Sequence, residues 1–370
     1  MNDLTYVDSM RALENMCLDL KDKQWLALDT EFIRDKTYYP KLALIQIAST
    51  DRVYCVDPLA LRSLDSLFEL LENEAITKVF HSAAQDLEVI FNRRGRIPTP
   101  IFDTQIAAAL MGVGEQISYA ALVKRLIGIE LEKSQTRTNW MKRPLQEKQL
   151  DYAADDVRYL AKLYPLTVQE LERRGRMDWM REEVSTLIDP ESYRSALSAC
   201  VHRVKGAGKL KRQALNVLMH LSIWRENQAM KRDLPRRWVL RDEVLMDLAI
   251  QQPSTFQELE SNQLLDRNTA DRWGRALLKL IAQAQGEPEE TWPDVRYSKK
   301  PSAQEDAALD RLWSVVCSKA EALELSPSRI VTRSDLMKFV CGEKDIPLFR
   351  GWRLTVAGQE VLNTTIPPGQ

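Results

Sequence analysis

The chain has 370 residues, and a length of this order predicts two or three domains rather than one. A hydrophobic fraction of 44% and a charged fraction of 28% are typical of globular proteins, and a formal net charge of −1 indicates no partner by itself. No apolar run approaches the roughly 20 residues that cross a bilayer, so we expect no membrane-spanning segment.

The N-terminus and the cysteines indicate a cytoplasmic protein. Residues 1–5 lack the basic stretch and apolar run of a secretory signal. The five cysteines are scattered and include no Cys-x-x-Cys pair, which favours free thiols in a reducing compartment and disfavours structural zinc.

The first 110 residues show a pattern of strands and helices. In chain order, the predicted elements are a helix over 4–20, strands over 25–32, 42–49 and 52–57, a helix over 63–72, a strand over 76–81, a helix from 83, and a strand over 101–103 that leads into a helix. The short gaps between the first three strands suit antiparallel hairpins. This order predicts an α/β domain with a mixed sheet.

After residue 112 the pattern becomes helical. We predict a helix over 118–127, a polar loop over 132–140, and a long helix with Pro144 in its first turn that ends near Arg174. Linkers around 189–208 and over 286–301 would separate two further helical units, 209–285 and 303–363, whose long first helices span 209–230 and 303–322.

One segment is strongly basic. Between His202 and Arg241 there are eleven Lys or Arg residues and two acids, Glu226 and Asp233. Such a local excess suits a nucleic-acid backbone, and a solvated helix face is the alternative.

The strand over 25–32 ends in two acids. Side chains alternate along a strand, so Asp29 and Glu31 project from the same face. Neighbouring carboxylates repel each other and are costly to keep ionised unless a cation lies between them. The strand end is therefore either a divalent-metal site or an ordinary exposed strand end.

Two further acids lie on predicted helices. In the helix over 145–164, Asp156 falls at the edge of the apolar stripe beside Tyr152, whereas Asp155 falls on nearly the opposite side and should face solvent. In the segment 81–90, Asp86 lies at the border of the buried face. His81, at the preceding strand end, is more often a structural residue than a ligand in such a position.

Asp29, Glu31, Asp86 and Asp156 would form an all-carboxylate ligand set, which favours Mg²⁺ or Mn²⁺ over zinc. Two such ions roughly 3.5–4 Å apart can activate a water and stabilise the leaving oxygen in phosphodiester cleavage. The hydroxyl of Tyr152 could orient or deprotonate that water.

On these residues the chain resembles the DEDD exonucleases of the Tyr-containing subgroup, and it is most similar to the bacterial ribonuclease D family. The motifs are Asp-Thr-Glu at 29–31, the segment around Asp86, and Tyr-x-x-x-Asp from Tyr152 to Asp156. Further similar segments are Tyr38–Pro40, Leu44–Ile47, Phe102–Gln105 and Lys133–Trp140. Together, in this order and at these separations, the motifs are far more specific than any one of them.

The resemblance implies a fold and metal roles. A ribonuclease H-like exonuclease domain with a mixed sheet would span 1–190, and two small all-helical domains would follow, a helicase-and-RNase-D C-terminal (HRDC) domain over 207–286 and a divergent copy over 302–364. In the family, the carboxylate matching Asp29 bridges both cations. Those matching Glu31 and Asp156 hold the ion that carries the attacking water, and the one matching Asp86 serves the second ion.

The resemblance also implies a function. The chain would be a 3′–5′ exoribonuclease that hydrolyses RNA 3′ ends to 5′-nucleotides with two Mg²⁺ or Mn²⁺ ions. It would trim the 3′ trailers of tRNA precursors in the cytoplasm, without a membrane or an obligate protein partner. Candidate RNA contacts are Gln46, His81, Ser134 and Arg137, and Trp140 suits either the core or a stacking platform.

Two alternatives remain. A DNA 3′–5′ exonuclease would share the same chemistry, because the sequence shows no recognition of a 2′-hydroxyl. A catalytically inactive RNA-binding scaffold is the other, although all five motif positions carry the functional residue types.

Overall fold

The computed structural model describes residues 3–131, 138–194, 197, 200–261, 265–293 and 301–364. The described residues form two compact units. The first draws on Met1–Ile33, Leu42–Pro190 and Lys300–Gln370, and the second on Arg34–Lys41 and Glu191–Lys299.

A six-stranded mixed sheet is the centre of the first unit. Its strands are β1 (Asp3–Val7), β2 (Trp25–Ile33), β3 (Lys41–Ala48), β4 (Arg52–Val56), β5 (Thr77–Phe80) and β6 (Ile101–Asp103), in the spatial order β1-β4-β3-β2-β5-β6. β3 and β4 are antiparallel, whereas β1 pairs with β4, β2 with β5, and β5 with β6 in parallel. The predicted mixed sheet is confirmed, and β2 lies inside it with neighbours on both sides.

Among the described residues up to 190, the helices beside this sheet are α1 (Met10–Leu20), α2 (Asp65–Glu72), α3 (Ala84–Arg94), α4 (Thr104–Leu110), α5 (Tyr119–Ile127), α6 (Glu147–Arg173) and α7 (Met177–Ser185). α6 packs against β2, β4 and β5 with a buried apolar side that includes Ala153, Val157 and Leu160. The long helix therefore lies directly against the strand that carries Asp29 and Glu31.

The helix predicted over 4–20 is wrong in its first half. Asp3–Val7 pairs with Arg52–Val56 as a parallel strand, and the helix begins only at Met10, where the Ser9 side chain accepts from the Ala12 amide. The apolar residues at 4 and 7 fit a helical spacing, but strand pairing distant in sequence determines their conformation.

The start of the long helix also differs from the prediction. Pro144 lies before α6, which begins at Glu147 with a reciprocal capping box between Gln146 and Gln149. Just upstream, the Arg143 guanidinium donates two hydrogen bonds to the buried Asp57 carboxylate, at 2.6 and 2.7 Å. This ion pair fixes the chain as it enters α6.

The second unit is helical. Its helices are α8 (Arg212–Arg232), α9 (Arg236–Val239), α10 (Asp242–Gln251), α11 (Phe256–Ser261) and α12 (Arg267–Gln285). The linker predicted around 189–208 is partly wrong, because Val201, Val204 and Ala207 are buried in the core that these helices form. Short 3₁₀ turns let this Gly-containing segment fold against α8.

The last helices belong to the first unit. They are α13 (Ala303–Ala322), α14 (Pro327–Ile330), α15 (Arg333–Val340), α16 (Gly351–Arg353) and α17 (Gln359–Asn363). Trp352 stacks on Trp179 of α7 with ring centroids 4.4 Å apart, and its indole N–H donates to Glu183 at 2.8 Å. Glu183 also binds the guanidinium groups of Arg353 and Arg329.

The domain boundaries 1–190, 207–286 and 302–364 stay predictions, because compactness does not show which segment folds alone. Among the described residues, no helix is long and apolar enough to cross a membrane.

Candidate active site

β2 carries two of the acids. Its first half, Leu26–Leu28, is fully buried in the sheet, and its second half emerges with Asp29 and Glu31 partly exposed. The alternation of side chains along the strand directs both carboxylates to one face, as predicted.

α6 supplies the third acid. Asp156 lies beside the buried stripe of the helix, and one carboxylate oxygen each from Asp29, Glu31 and Asp156 lie within 4.8 Å of one another. Asp155 is outside this group: it pairs with Arg158, and 37% of its side chain is exposed. Asp156 thus lies with the strand acids, as the helical projection indicated, whereas Asp155, which was expected to face solvent, is only partly exposed.

α3 supplies the fourth acid, Asp86, in its first turn. Asp86 is buried, and its Oδ1 accepts from the Thr30 amide at 3.0 Å and from the Thr30 hydroxyl at 2.5 Å. The negative charge of Asp86 acts on both Asp29 and Glu31. The four predicted acids therefore converge from one strand and two helices.

Burial raises the pKa of all four carboxyls, and repulsion from other acids of the group adds to this for Asp29 and Glu31. Burial, followed by the charges of Asp86, Asp156 and Glu31, raises the pKa of Asp29 well above its usual value. Burial together with Asp156 and Asp86 raises the pKa of Glu31 to about 8. Burial raises the pKa of Asp86 and of Asp156 to about 7. Repulsion of this kind favours a bound cation, which would hold the carboxyls ionised.

The donor set fits a hard divalent cation. Carboxylate oxygens from Asp29, Glu31 and Asp156 lie close enough to share one ion, and no His or Cys belongs to this three-residue group. Such a set suits Mg²⁺ or Mn²⁺ rather than zinc.

The segment that carries Asp86 is held by Asp103, a residue that the sequence reasoning did not single out for a role. The buried Asp103 carboxylate accepts from the amides of Ser82 and Ala83, at 3.0 and 2.8 Å, and caps α4 through the Gln105 amide at 2.8 Å. It thereby ties the β5–α3 turn to the start of α4. The signals in the sequence were an aspartate directly before a helix and its place in the family-like segment Phe102–Gln105.

Tyr119 is a second residue that the sequence reasoning missed. Its hydroxyl donates to the Asp155 carbonyl at 2.8 Å, and its ring centroid lies 5.6 Å from that of His81. Burial, followed by the charges of Asp156 and Asp29, raises its pKa well above the usual value. Tyr119 therefore lies near the acids and fixes the backbone of α6 beside Asp156.

Tyr152 lies one helical turn before Asp156, as the motif requires. It is partly buried and packs against a cluster that includes Trp140, with the two ring centroids 6.3 Å apart. Trp140 itself is buried, so it belongs to the core and not to an exposed stacking platform.

The structure does not place the candidate RNA contacts as clearly as it places the acids. Gln46 lies in β3 with no exposed surface, so the structure does not support a contact to RNA in this conformation. Both ring nitrogens of His81 have partners within the protein, the Thr104 hydroxyl at 2.9 Å and the Ile117 carbonyl at 3.1 Å, which supports the structural reading of this histidine. Ser134 and Arg137 lie outside the described residues.

The basic segment of the second unit is partly structural. Arg225 is buried and binds Asp242, while Arg203 and Arg236 bind the buried Glu226. Other basic side chains of the segment remain exposed, including Lys209, Lys231, Arg232, Arg237 and Arg241. Trp238 lies among them with 60% of its surface exposed.

Comparison with known proteins agrees with this arrangement. Residues 4–172 match a 3′-5′ exonuclease domain family, and residues 214–281 match the HRDC domain family. The chain is 37% identical to ribonuclease D of Bartonella henselae, over 94% of this chain and 86% of the relative. It is 34% identical to ribonuclease D of Pseudomonas paraeruginosa, over 98% of this chain and 97% of the relative.

A solved structure has the same fold. The crystal structure of Escherichia coli RNase D, described as an exoribonuclease involved in structured RNA processing, matches with a TM-score of 0.85 and 30% identity. The match covers 98% of each chain. On this similarity in sequence and in fold, the chain belongs to the ribonuclease D family of 3′–5′ exoribonucleases.

Proposed function

We propose that this exoribonuclease trims the 3′ trailers of tRNA precursors in the cytoplasm, and that two Mg²⁺ or Mn²⁺ ions assist the hydrolysis. The observation that carries the proposal is the convergence of Asp29, Glu31, Asp86 and Asp156. Without cations, the repulsion between these carboxylates is unfavourable. The same concentration of negative charge favours the binding of divalent cations.

The four acids are the proposed metal ligands and, with Tyr152, the catalytic residues. Bound divalent ions supply an activated water and stabilise the charge on the leaving 3′ oxygen. Glu31 and Asp156 would hold the ion that carries the attacking water, and Asp86 would hold the ion beside the leaving group. Tyr152, one turn before Asp156, orients the water through its hydroxyl.

The chain's other residues support this arrangement. Tyr119 fixes the backbone of α6 beside Asp156, and Asp103 fixes the turn before Asp86. Exposed basic residues of the second unit would attract the phosphate backbone, and Trp238 offers a face for base stacking.

The first experiment compares substrates. The protein is incubated with a tRNA precursor that carries a 3′ trailer, with an unstructured RNA of matched length, and with the corresponding DNA. We expect stepwise release of 5′-mononucleotides from the RNA 3′ ends in Mg²⁺ or Mn²⁺, fastest on the trailer. Preferential cleavage of DNA would favour the alternative DNA exonuclease, and equal rates on both RNAs would remove the tRNA assignment.

The second experiment tests the metal-site assignment. Asp29→Asn should abolish nucleotide release, whereas Asp155→Asn, on the same helix as Asp156 but outside the carboxylate group, should retain it. Because asparagine keeps the shape of aspartate, the comparison isolates the charge. Unchanged release by Asp29→Asn would contradict the metal site, and RNA binding without any hydrolysis by the wild type would indicate an inactive scaffold.

A further inference from the structure

We infer that Thr30 is the positioning residue of this site: it holds the Asp86 carboxylate in the orientation that binds the second cation. Thr30 is the middle residue of the Asp29–Glu31 motif, and it is neither a proposed metal ligand nor a proposed catalytic residue. The inference rests on the proposed two-ion function and identifies how one ligand of that site is oriented.

The contact is specific to one oxygen of Asp86. Both the amide and the hydroxyl of Thr30 donate to Oδ1, at 3.0 and 2.5 Å. Both residues are buried, with about 7% of each exposed. Two donors on the same oxygen fix the rotation of the carboxylate plane and leave Oδ2 to serve as the metal ligand.

The location of Thr30 between two proposed ligands allows it to orient Asp86 relative to both. Asp29 and Glu31 flank Thr30 on β2. The backbone of these three residues therefore positions two ligands directly, and it positions a further ligand, Asp86, through a hydrogen bond. Asp86 lies in the first turn of a separate helix, α3, and the Thr30 contact joins its carboxylate to the strand by hydrogen bonds. The position of Asp86 relative to the two strand acids is thereby fixed from β2 through Thr30 and from the β5–α3 turn through Asp103.

The Thr30 hydroxyl supplies a hydrogen-bond donor that an apolar side chain of the same shape lacks. Valine at this position would preserve the β-branched shape and the backbone amide, but it would remove the hydroxyl donor. Serine would preserve the hydroxyl and remove one methyl group. Thr30→Val and Thr30→Ser are therefore a matched pair that separates the hydrogen bond from packing.

The test is calorimetric titration of the full-length protein with Mn²⁺ alone, without RNA, so that the readout is independent of activity. We expect Thr30→Val to weaken one of the two Mn²⁺ sites about 10- to 100-fold, as for other residues that orient a metal ligand. Thr30→Ser should bind Mn²⁺ within about twofold of wild type. If Thr30→Val does not fold, Thr30→Ala replaces it in the test, because alanine removes the hydroxyl and adds no methyl group in its place.

A double-mutant cycle shows whether the effect passes through Asp86. In an Asp86→Asn background, Thr30→Val should add no loss beyond about twofold, because the carboxylate that it orients is already absent. Wild-type affinity in Thr30→Val, or an equal further loss in the Asp86→Asn background, would overturn the inference. Failure of the wild type to bind Mn²⁺ would instead refute the proposed function.

Discussion

Replacing Asp29 with asparagine should stabilise the metal-free protein and also remove its response to Mg²⁺. The folded-state pKa values of Glu31, Asp86 and Asp156 are raised to about 8, 7 and 7, chiefly by burial. Because these values lie above those of the unfolded chain, the metal-free fold loses stability as the pH rises from about 4 to about 8, and the full cost is present above that range. Asparagine carries no charge in either state, so Asp29→Asn removes the part of this cost that Asp29 contributes.

The spacing of the carboxylates gives the magnitude. Oxygens of Asp29, Glu31 and Asp156 lie within 4.8 Å of one another. At this separation an ionised pair costs about 1 kcal/mol at an effective dielectric constant of 80, and about 3.5 kcal/mol at 20. Since only part of the group is ionised near pH 8, we expect a net relief of about 1–3 kcal/mol. For a unit of about 150–250 residues, this corresponds to a rise in Tm of about 2–12 °C.

Differential scanning calorimetry at pH 8 provides the assay, with and without Mg²⁺. Without Mg²⁺, Asp29→Asn should melt above the wild type. With Mg²⁺ at 100 times its Kd, the wild type should gain about 2.7 kcal/mol and the variant should gain nothing. Asp155→Asn is the control and should respond to Mg²⁺ as the wild type does. A metal-free Asp29→Asn that melts below the wild type would refute the repulsion argument.

Three further predictions concern pH and two tryptophans. Mg²⁺ affinity should rise between about pH 6 and pH 9 in calorimetric titrations, because protons on Glu31, Asp86 and Asp156 compete with the cation. A Mg²⁺ affinity that does not change with pH over this range would contradict the prediction. Trp352→Ala should lower the free energy of unfolding of the first unit by about 3–5 kcal/mol in urea, because Trp352 is buried and stacked on α7. Trp238 is exposed among basic residues, so Trp238→Ala should change the free energy of unfolding by less than about 0.5 kcal/mol. The same variant should weaken RNA binding by about 1–3 kcal/mol at fixed salt in filter-binding assays. Unchanged RNA affinity would exclude base stacking on Trp238.

Sequence periodicity predicted the face of its element on which each acid lies, because local geometry decides it. The alternation of a strand places Asp29 and Glu31 on one face, and the pitch of a helix places Asp156 at the edge of the buried stripe. Both rules act over a few residues, and both hold in the structure. The separation of Asp156 from Asp155 follows from the same helical geometry.

The features that the sequence reasoning missed depend on contacts between distant segments. The pairing of 3–7 with 52–56 turns an apparent helix into β1, and the core of the second unit buries Val201, which appeared to lie in a linker. The hydrogen bonds of Asp86 with Thr30 and of Tyr119 with the Asp155 carbonyl join residues far apart in sequence. No periodicity reports such contacts.

Compact units also combine segments that sequence order separates. Residues 34–41, between β2 and β3, belong with the second unit: the Tyr38 hydroxyl donates to the buried Glu226 at 2.5 Å, and the Tyr38 and Tyr39 amides donate to Asp233 at 3.0 Å. The sequence showed Tyr38–Pro40 as a family motif, but not its partners. Similarly, Gln46 was a polar residue in an apolar strand, and only the structure shows that it is fully buried.

The central claim is that Asp29, Glu31, Asp86 and Asp156 hold two divalent cations. Anomalous diffraction from crystals of the full-length protein soaked in Mn²⁺ tests it most directly. We expect two anomalous peaks roughly 3.5–4 Å apart, with Asp29 bridging them and Asp86 at the second. Mn²⁺ peaks only at other acids, or none between β2 and α6 at saturating Mn²⁺, would contradict it.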